Sequence, residues 1–97
     1  MDRGHIWPSR AFPASKQEAA ILAAGVRKRV LYTEDVDGVV GDLRAGDRLV
    51  VAGFRGLGRK RSTIEDNIQR VHAKGCAVMD AITGWLSTGM HCAAMID

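Results

Sequence analysis

Three groups of side chains in this chain could do chemistry: a serine, a cluster of cations and two thiols. Ser9 follows the candidate strand His5-Ile6-Trp7 and stands beside Arg10. A serine at a strand end is a candidate nucleophile, but it needs a base to take its proton. His5, His72 and His91 are scattered, and none stands in a hydrolase pattern. On the residues alone, Ser9 reads as a turn or cap serine. The cations are Arg55, Arg59, Lys60 and Arg61, set with no acid among them in Gly53-Phe54-Arg55-Gly56-Leu57-Gly58-Arg59-Lys60-Arg61-Ser62. That density binds phosphate or a nucleic-acid backbone, or else it is a solvated loop balanced by Glu65 and Asp66. The loop holds G-x-x-x-x-G, the front half of a P-loop. A P-loop then needs Lys and Ser/Thr at once, and here Arg59 and Lys60 occupy those places. Met79-Asp80 resembles a metal-binding Asp at the end of the next strand, but without the Lys-Ser/Thr pair no hydrolase is expected.

Cys76 and Cys92 have no C-x-x-C partner, and His91 adds no second ligand pair, so neither a metal nor a cofactor is expected. Cys76 reads as a small core residue. Trp7 and Trp85 read as packing residues, each near a strand end where a base or a partner could stack.

These groups need elements to position them. Residues 16–24 are rich in Ala, with Ile21 and Leu22, and predict a helix. Ser15 is its expected N-cap, Glu18 completes a capping box and Gly25 stops it. Val30-Leu31-Tyr32-Thr33 predicts the second strand. Glu34-Asp35-Val36-Asp37-Gly38 reads as a turn, and residues 39–44 allow only a short helix. Leu49-Val50-Val51-Ala52 is a continuous apolar strand of the kind buried on both faces of a parallel sheet. Ser62 or Thr63 is expected to cap a helix running to about Lys74, with Ile64, Ile68 and Val71 on its core face. Cys76-Ala77-Val78-Met79 is the fourth strand. Turn signals follow at Thr83-Gly84 and Ser87-Thr88-Gly89, then a short helix over residues 90–96. The pattern β-α-β-α-β-α-β predicts a small, open, mostly parallel α/β sheet of about four strands with flanking helices. Sites in such sheets form at the carboxyl ends of the strands.

Length and composition agree. The chain has 97 residues, 46% hydrophobic and 26% charged, which is one ordinary globular domain over residues 1–97. No apolar run approaches the ~20 residues that span a bilayer, so no membrane partner is expected. The opening residues lack the basic-then-apolar order of a secretory signal, and two cysteines make no disulfide scaffold, so the expected place is the cytoplasm. The net charge is +3, unevenly spread. Glu34, Asp35, Asp37, Asp42 and Asp47 precede the basic loop, with only Arg44 among them.

Read in order, three stretches resemble the catalytic domain of the serine recombinases, the resolvase/invertase family. Leu43-Arg44-Ala45-Gly46-Asp47-Arg48-Leu49-Val50-Val51 is similar to the family's L-R-x-G-D-x-L-V-V, and Leu57-Gly58-Arg59 to the end of its D-R-L-G-R. Glu34-Asp35-Val36-Asp37-Gly38 resembles its E-D-x-x-S-G turn. Ile82-Thr83-Gly84 through Ser87-Thr88-Gly89 is similar to the segment after its fourth strand. The resemblance implies a resolvase-like fold, with Ser9 at the place of the nucleophile that closes the family's Y-x-R-V-S strand. It implies attack on a DNA phosphodiester, a covalent phosphoserine link, and arginines that stabilise the phosphoryl transition state. Arg59 matches a catalytic arginine. The family's arginine two places before the serine is Trp7 here, and its D-R pair falls on Arg55 and Gly56. A further helix carrying another arginine, between the second and third strands, is expected to be missing. Neither a long dimerisation helix nor a DNA-reading domain is read within the 97 residues.

The expectation is therefore a shortened recombinase-like domain from a mobile element, with weak or absent strand-transfer activity. Ser9 and Arg59 are its candidate catalytic residues, and Arg55, Arg59, Lys60 and Arg61 its candidate DNA or phosphate contacts. Its expected partners are DNA and other recombinase subunits or copies of itself. Two alternatives remain: a non-enzymatic module that self-associates through Met90, Ala93, Ala94, Met95 and Ile96, and a phosphate or nucleotide binder using residues 53–62.

Overall fold

Period-two burial in the most apolar run of the chain sets the layers. Leu49 and Val51 pack with one set of core residues and Val50 and Ala52 with another, all of them buried. A strand buried on both faces must lie inside a sheet covered on both sides. The structure, a computed structural model, describes residues 1–87 and has this arrangement.

Five strands, β1 (Asp2–Ile6), β2 (Leu31–Thr33), β3 (Arg48–Val51), β4 (Ala77–Asp80) and β5 (Leu86–Ser87), form one sheet in the order β2-β1-β3-β4-β5. The first four run parallel, and β5 pairs antiparallel with β4. Three helices connect them: α1 (Ala14–Ala23), α2 (Val36–Asp42) and α3 (Arg61–Ala73). The chain moves outward from β1 to β2, then returns past β1 to β3. Right-handed crossovers therefore put α1 on one face and α2 and α3 on the other. Ile21 of α1 packs with Ile6, Val26, Val30, Val50 and Ala52. On the other face Val39 and Val40 of α2 and Ile64, Ile68 and Val71 of α3 pack on Leu49, Val51 and Val78.

The small parallel α/β architecture stands, with corrections. The sheet has five strands rather than four. The fifth arises where a turn was expected, because the bend at Asp80–Trp85 returns the chain beside β4. The Trp85 carbonyl accepts from the Asp80 N–H at 2.8 Å. Helix α1 begins at Ala14 with Pro13 at the N-cap, so Ser15 lies inside the helix and no side chain caps it. Pro13 carries φ −66° and ψ 160°, the extended entry that suits a helix start, and no capping box forms. Glu18 instead faces Lys28 at 3.8 Å. Likewise α3 begins at Arg61, ahead of Ser62 and Thr63. The supposed turn 34–38 is partly helix: Asp35 caps α2, accepting from the Gly38 N–H at 3.0 Å. The short helix expected over residues 39–44 thus starts earlier, at Val36, and its seven residues carry no arginine. Cys76 is buried with a free thiol, as a core cysteine. The anticipated helix over residues 90–96, with Cys92 and His91, lies outside the described residues.

Candidate functional site

Where the chain reverses its direction of travel across the sheet, β1 and β3 are neighbours, and their carboxyl ends part. They pair through Gly4–Val50, beyond which His5 and Ile6 pair only with β2. Crevices at such a reversal are where open α/β sheets take ligands. Two loops close this one, from β1 and from β3.

The β1 loop is held by a buried amide. Gln17, on the core side of α1 and only 2% exposed, accepts from the Trp7 N–H at 3.1 Å. Its Nε2 donates to the Trp7 carbonyl at 2.8 Å and to the Phe12 carbonyl at 2.7 Å. One side chain thus satisfies three backbone groups across a loop that would otherwise carry orphans. Within the loop, Ser9 and Phe12 close a turn: the Ser9 N–H donates to the Phe12 carbonyl at 3.2 Å, and the Phe12 N–H donates to Ser9 Oγ at 3.1 Å. Ser9 itself is exposed.

The β3 loop is pinned at three points. The Gly53 N–H donates to Asp80 Oδ1 at 3.0 Å, His5 Nδ1 bonds the Gly56 carbonyl at 2.7 Å, and Asn67 Nδ2 donates to the Leu57 carbonyl at 2.7 Å. Between these points runs a 3-10 turn, Phe54–Leu57. Phe54 and Leu57 enter the core, and Arg55 is left outside. Gly56 allows the close approach: a Cβ there would lie 3.3 Å from Val51 Cβ and 3.7 Å from Gln17 Oε1. Asp80, which resembled a metal ligand in the sequence, is occupied, since its carboxylate also accepts from the Ile82 N–H and from Thr83 Oγ1.

A cleft of about 210 Å³ lies between the loops, lined among others by Trp7, Ser9, Phe12, Arg55, Gly56 and Arg59. Ser9, Arg55 and Arg59 therefore line one cleft, although 46 positions separate Ser9 from Arg55 in the sequence. Lys60 and Arg61 do not line the cleft. Lys60 stands at the N-cap of α3, and Arg61 pairs with Glu65 at 2.9 Å. Among the described residues, no carboxylate lines the cleft. Two guanidiniums with a hydroxyl in a small crevice suit an oxyanion.

Among the described residues, no base for Ser9 lies in this arrangement. His5 is wholly buried, and its Nε2 accepts from the Asp35 N–H at 3.2 Å. The proton must then sit on Nδ1, donated to Gly56, and neither ring nitrogen is free. Burial pushes the His5 pKa below its usual range, against the pull of the Gly56 carbonyl and of Asp35 and Glu34. His72 is engaged elsewhere, 3.0 Å from the Ser87 carbonyl. Among the described residues, no group of three His, Cys, Asp or Glu is arranged to hold a metal ion.

Trp7 also lines a second cleft, of about 300 Å³, together with Glu34, Asp35, Asp37 and Arg70. Arg70 pairs there with Asp37 at 2.8 Å. Residues of the acidic and of the basic stretch thus line two clefts that share Trp7.

Sequence reasoning missed Gln17, Asn67 and the strut made by His5. Their signal was present: Gln17 interrupts an Ala-rich helix, and Asn67 sits one residue before Ile68 on the core face. A polar side chain on a buried face must serve some backbone group.

Fold and cleft together define a doubly wound α/β protein with a basic crevice where its strand order reverses. Set beside known proteins, the chain matches no family model and no curated protein.

Proposed function

We propose that this is a resolvase-like recombinase domain that holds the sugar–phosphate backbone of DNA between β1 and β3, with weak or absent strand-transfer activity. One observation carries the reading: Ser9, Arg55 and Arg59 line a single cleft at the carboxyl ends of β1 and β3. Two arginines there can neutralise the non-bridging oxygens of one phosphodiester. Lys60 and Arg61 extend the positive surface along the start of α3. Strand transfer asks for more. Ser9 Oγ would have to lose its proton and attack phosphorus in line with the leaving oxygen. Among the described residues the cleft offers no base, and Trp7 stands where the resemblance calls for another arginine. Each missing cation or donor removes roughly 10²–10³ in rate. The setting is the cytoplasm, where thiols stay reduced. Among the described residues, no helix is long and apolar enough to cross a membrane.

The test is denaturing electrophoresis after incubation with DNA. The expected result is DNA binding without a covalent protein–DNA band. A band that vanishes in Ser9→Ala would instead establish an active nucleophile.

A second reading has its own observation. Ile82, Trp85 and Leu86 are 57%, 61% and 45% exposed around the edge strand β5. Such an apolar edge favours self-association. Salt-insensitive oligomers on a sizing column, with no DNA shift, would support that reading over the first.

A further inference from the structure

We infer that the cleft takes nucleic acid as a single strand, with one unstacked base held against Trp7 and Phe12 while its phosphate lies on Arg55 and Arg59. This inference rests on the backbone-binding reading above and adds the state of the strand. The aromatic lining is the first reason. A site that met only duplex phosphates would need cations and amides, yet two aromatic side chains form part of this wall. Both are half-buried, packed on the core while still facing the cleft. Bases stack on such platforms whatever their identity, because every base has a π-face. In a duplex those faces are covered by neighbouring pairs, so only an unstacked base reaches the rings.

Rigidity is the second reason. Gln17 bonds the backbone of Trp7 and that of Phe12 through the same amide. Both ring-bearing positions are therefore fixed before any ligand arrives, which lowers the ordering cost of binding. Charge supplies the last reason. Trp7 borders two clefts, one lined by Arg55 and Arg59 and the other by Glu34, Asp35, Asp37 and Arg70, with Arg70 paired to Asp37. A polyanion reaching the indole therefore favours the first, where among the described residues no carboxylate lines the wall. At about 210 Å³ the cleft is smaller than the ~300 Å³ of ordinary drug-sized pockets, a size for one ring and not for a base pair.

The experiment uses the Trp85→Phe chain, in which Trp7 is the remaining tryptophan of the two. Trp7 fluorescence and the anisotropy of a labelled oligothymidylate are followed at low salt, beside a duplex of equal length. The single strand is expected to quench Trp7 and to bind about tenfold more tightly than the duplex, the scale of one base–aromatic stack. Phe12→Ala is expected to weaken single-strand binding by about tenfold and to leave duplex binding unchanged. The quenching measurement alters nothing in the cleft, so it stands even where Phe12→Ala unfolds the loop. Duplex bound as tightly as single strand, with Trp7 unquenched, overturns this inference and leaves the backbone-binding reading intact. Failure to bind either form overturns both.

Discussion

At the scale of single residues, His5 joins two loops that the sequence keeps far apart. Its ring bonds the Gly56 carbonyl on one side and the Asp35 N–H on the other, and this works only with a neutral ring. Burial holds its folded-state pKa below the ordinary 6.5, so the unfolded chain binds the proton more readily. The stability tied to His5 is therefore complete above about pH 6.5 and falls as pH drops below it, towards the folded value. Carboxylates act in another window. The bond from Arg48 holds Asp2, and the bond from the Arg44 N–H holds Asp47, below 3.8, so their contribution is lost only at more acid pH. Urea midpoints measured between about pH 7.5 and 5.5 should then fall for the native chain. His5→Asn keeps an amide donor for Gly56 and cannot titrate. It should be about 2 kcal/mol less stable at neutral pH, the cost of one unmet buried bond. The gap between the two proteins should narrow as pH falls. A constant gap would show that His5 is not the titrating strut. None of this was legible in the sequence, where His5 looked like one of three scattered histidines. Fifty-one positions separate it from Gly56. Only the tertiary fold brings them together.

Elements were more legible than residues, for a physical reason. The apolar runs that became β3 and the core face of α3 were read correctly, because burial imposes periods of two and of three to four residues on the chain itself. Helix starts were misplaced. At α1, Ser15 and Glu18 have the right spacing for a capping box, but Gln17 must reach back to Trp7 and Phe12. The helix begins at Ala14 behind Pro13, which leaves Ser15 inside it and no side chain at its cap. Strand β5 was missed since two residues carry no period. Gly4 shows how tightly α1 and β1 fit. A Cβ there would lie 2.7 Å from Ile21 Cγ2 and 2.7 Å from Leu31 Cδ1. Gly4→Ala should therefore push α1 off the sheet at a cost of about 1–3 kcal/mol. Because α1 carries Gln17, the Trp7–Phe12 loop should loosen with it. Gly41 in α2 is the counter-case, since a Cβ there would meet nothing within 4 Å. Gly41→Ala should stabilise by about 0.5–1 kcal/mol through the helix backbone alone. Thermal or urea unfolding of the two variants reads both signs, and a stable Gly4→Ala would show that the α1–β1 seat is looser than its contacts.

Over the whole molecule, a net charge of +3 says little until its two basic groups are placed. Arg55 and Arg59 lie at the carboxyl end of the parallel strands, whereas Arg27 and Arg29 line a cavity with Met1 and Asp2 at the amino end. The five residues of β1 set these ends about 16 Å apart, roughly twice the Debye length at physiological salt. A phosphate chain gripped at one end is thus nearly blind to the other. Arg59→Ala and Arg29→Ala each lower the net charge by one, so they differ only in where the charge is lost. If binding depends on direct phosphate contact, Arg59→Ala should flatten the slope of log affinity against log salt by about 0.7–0.9, one contact's worth of released counterion. Arg29→Ala should leave that slope unchanged. Equal flattening by both would mean that nucleic acid responds to overall charge rather than to the cleft, and the crevice between β1 and β3 would lose its claim to be the binding site.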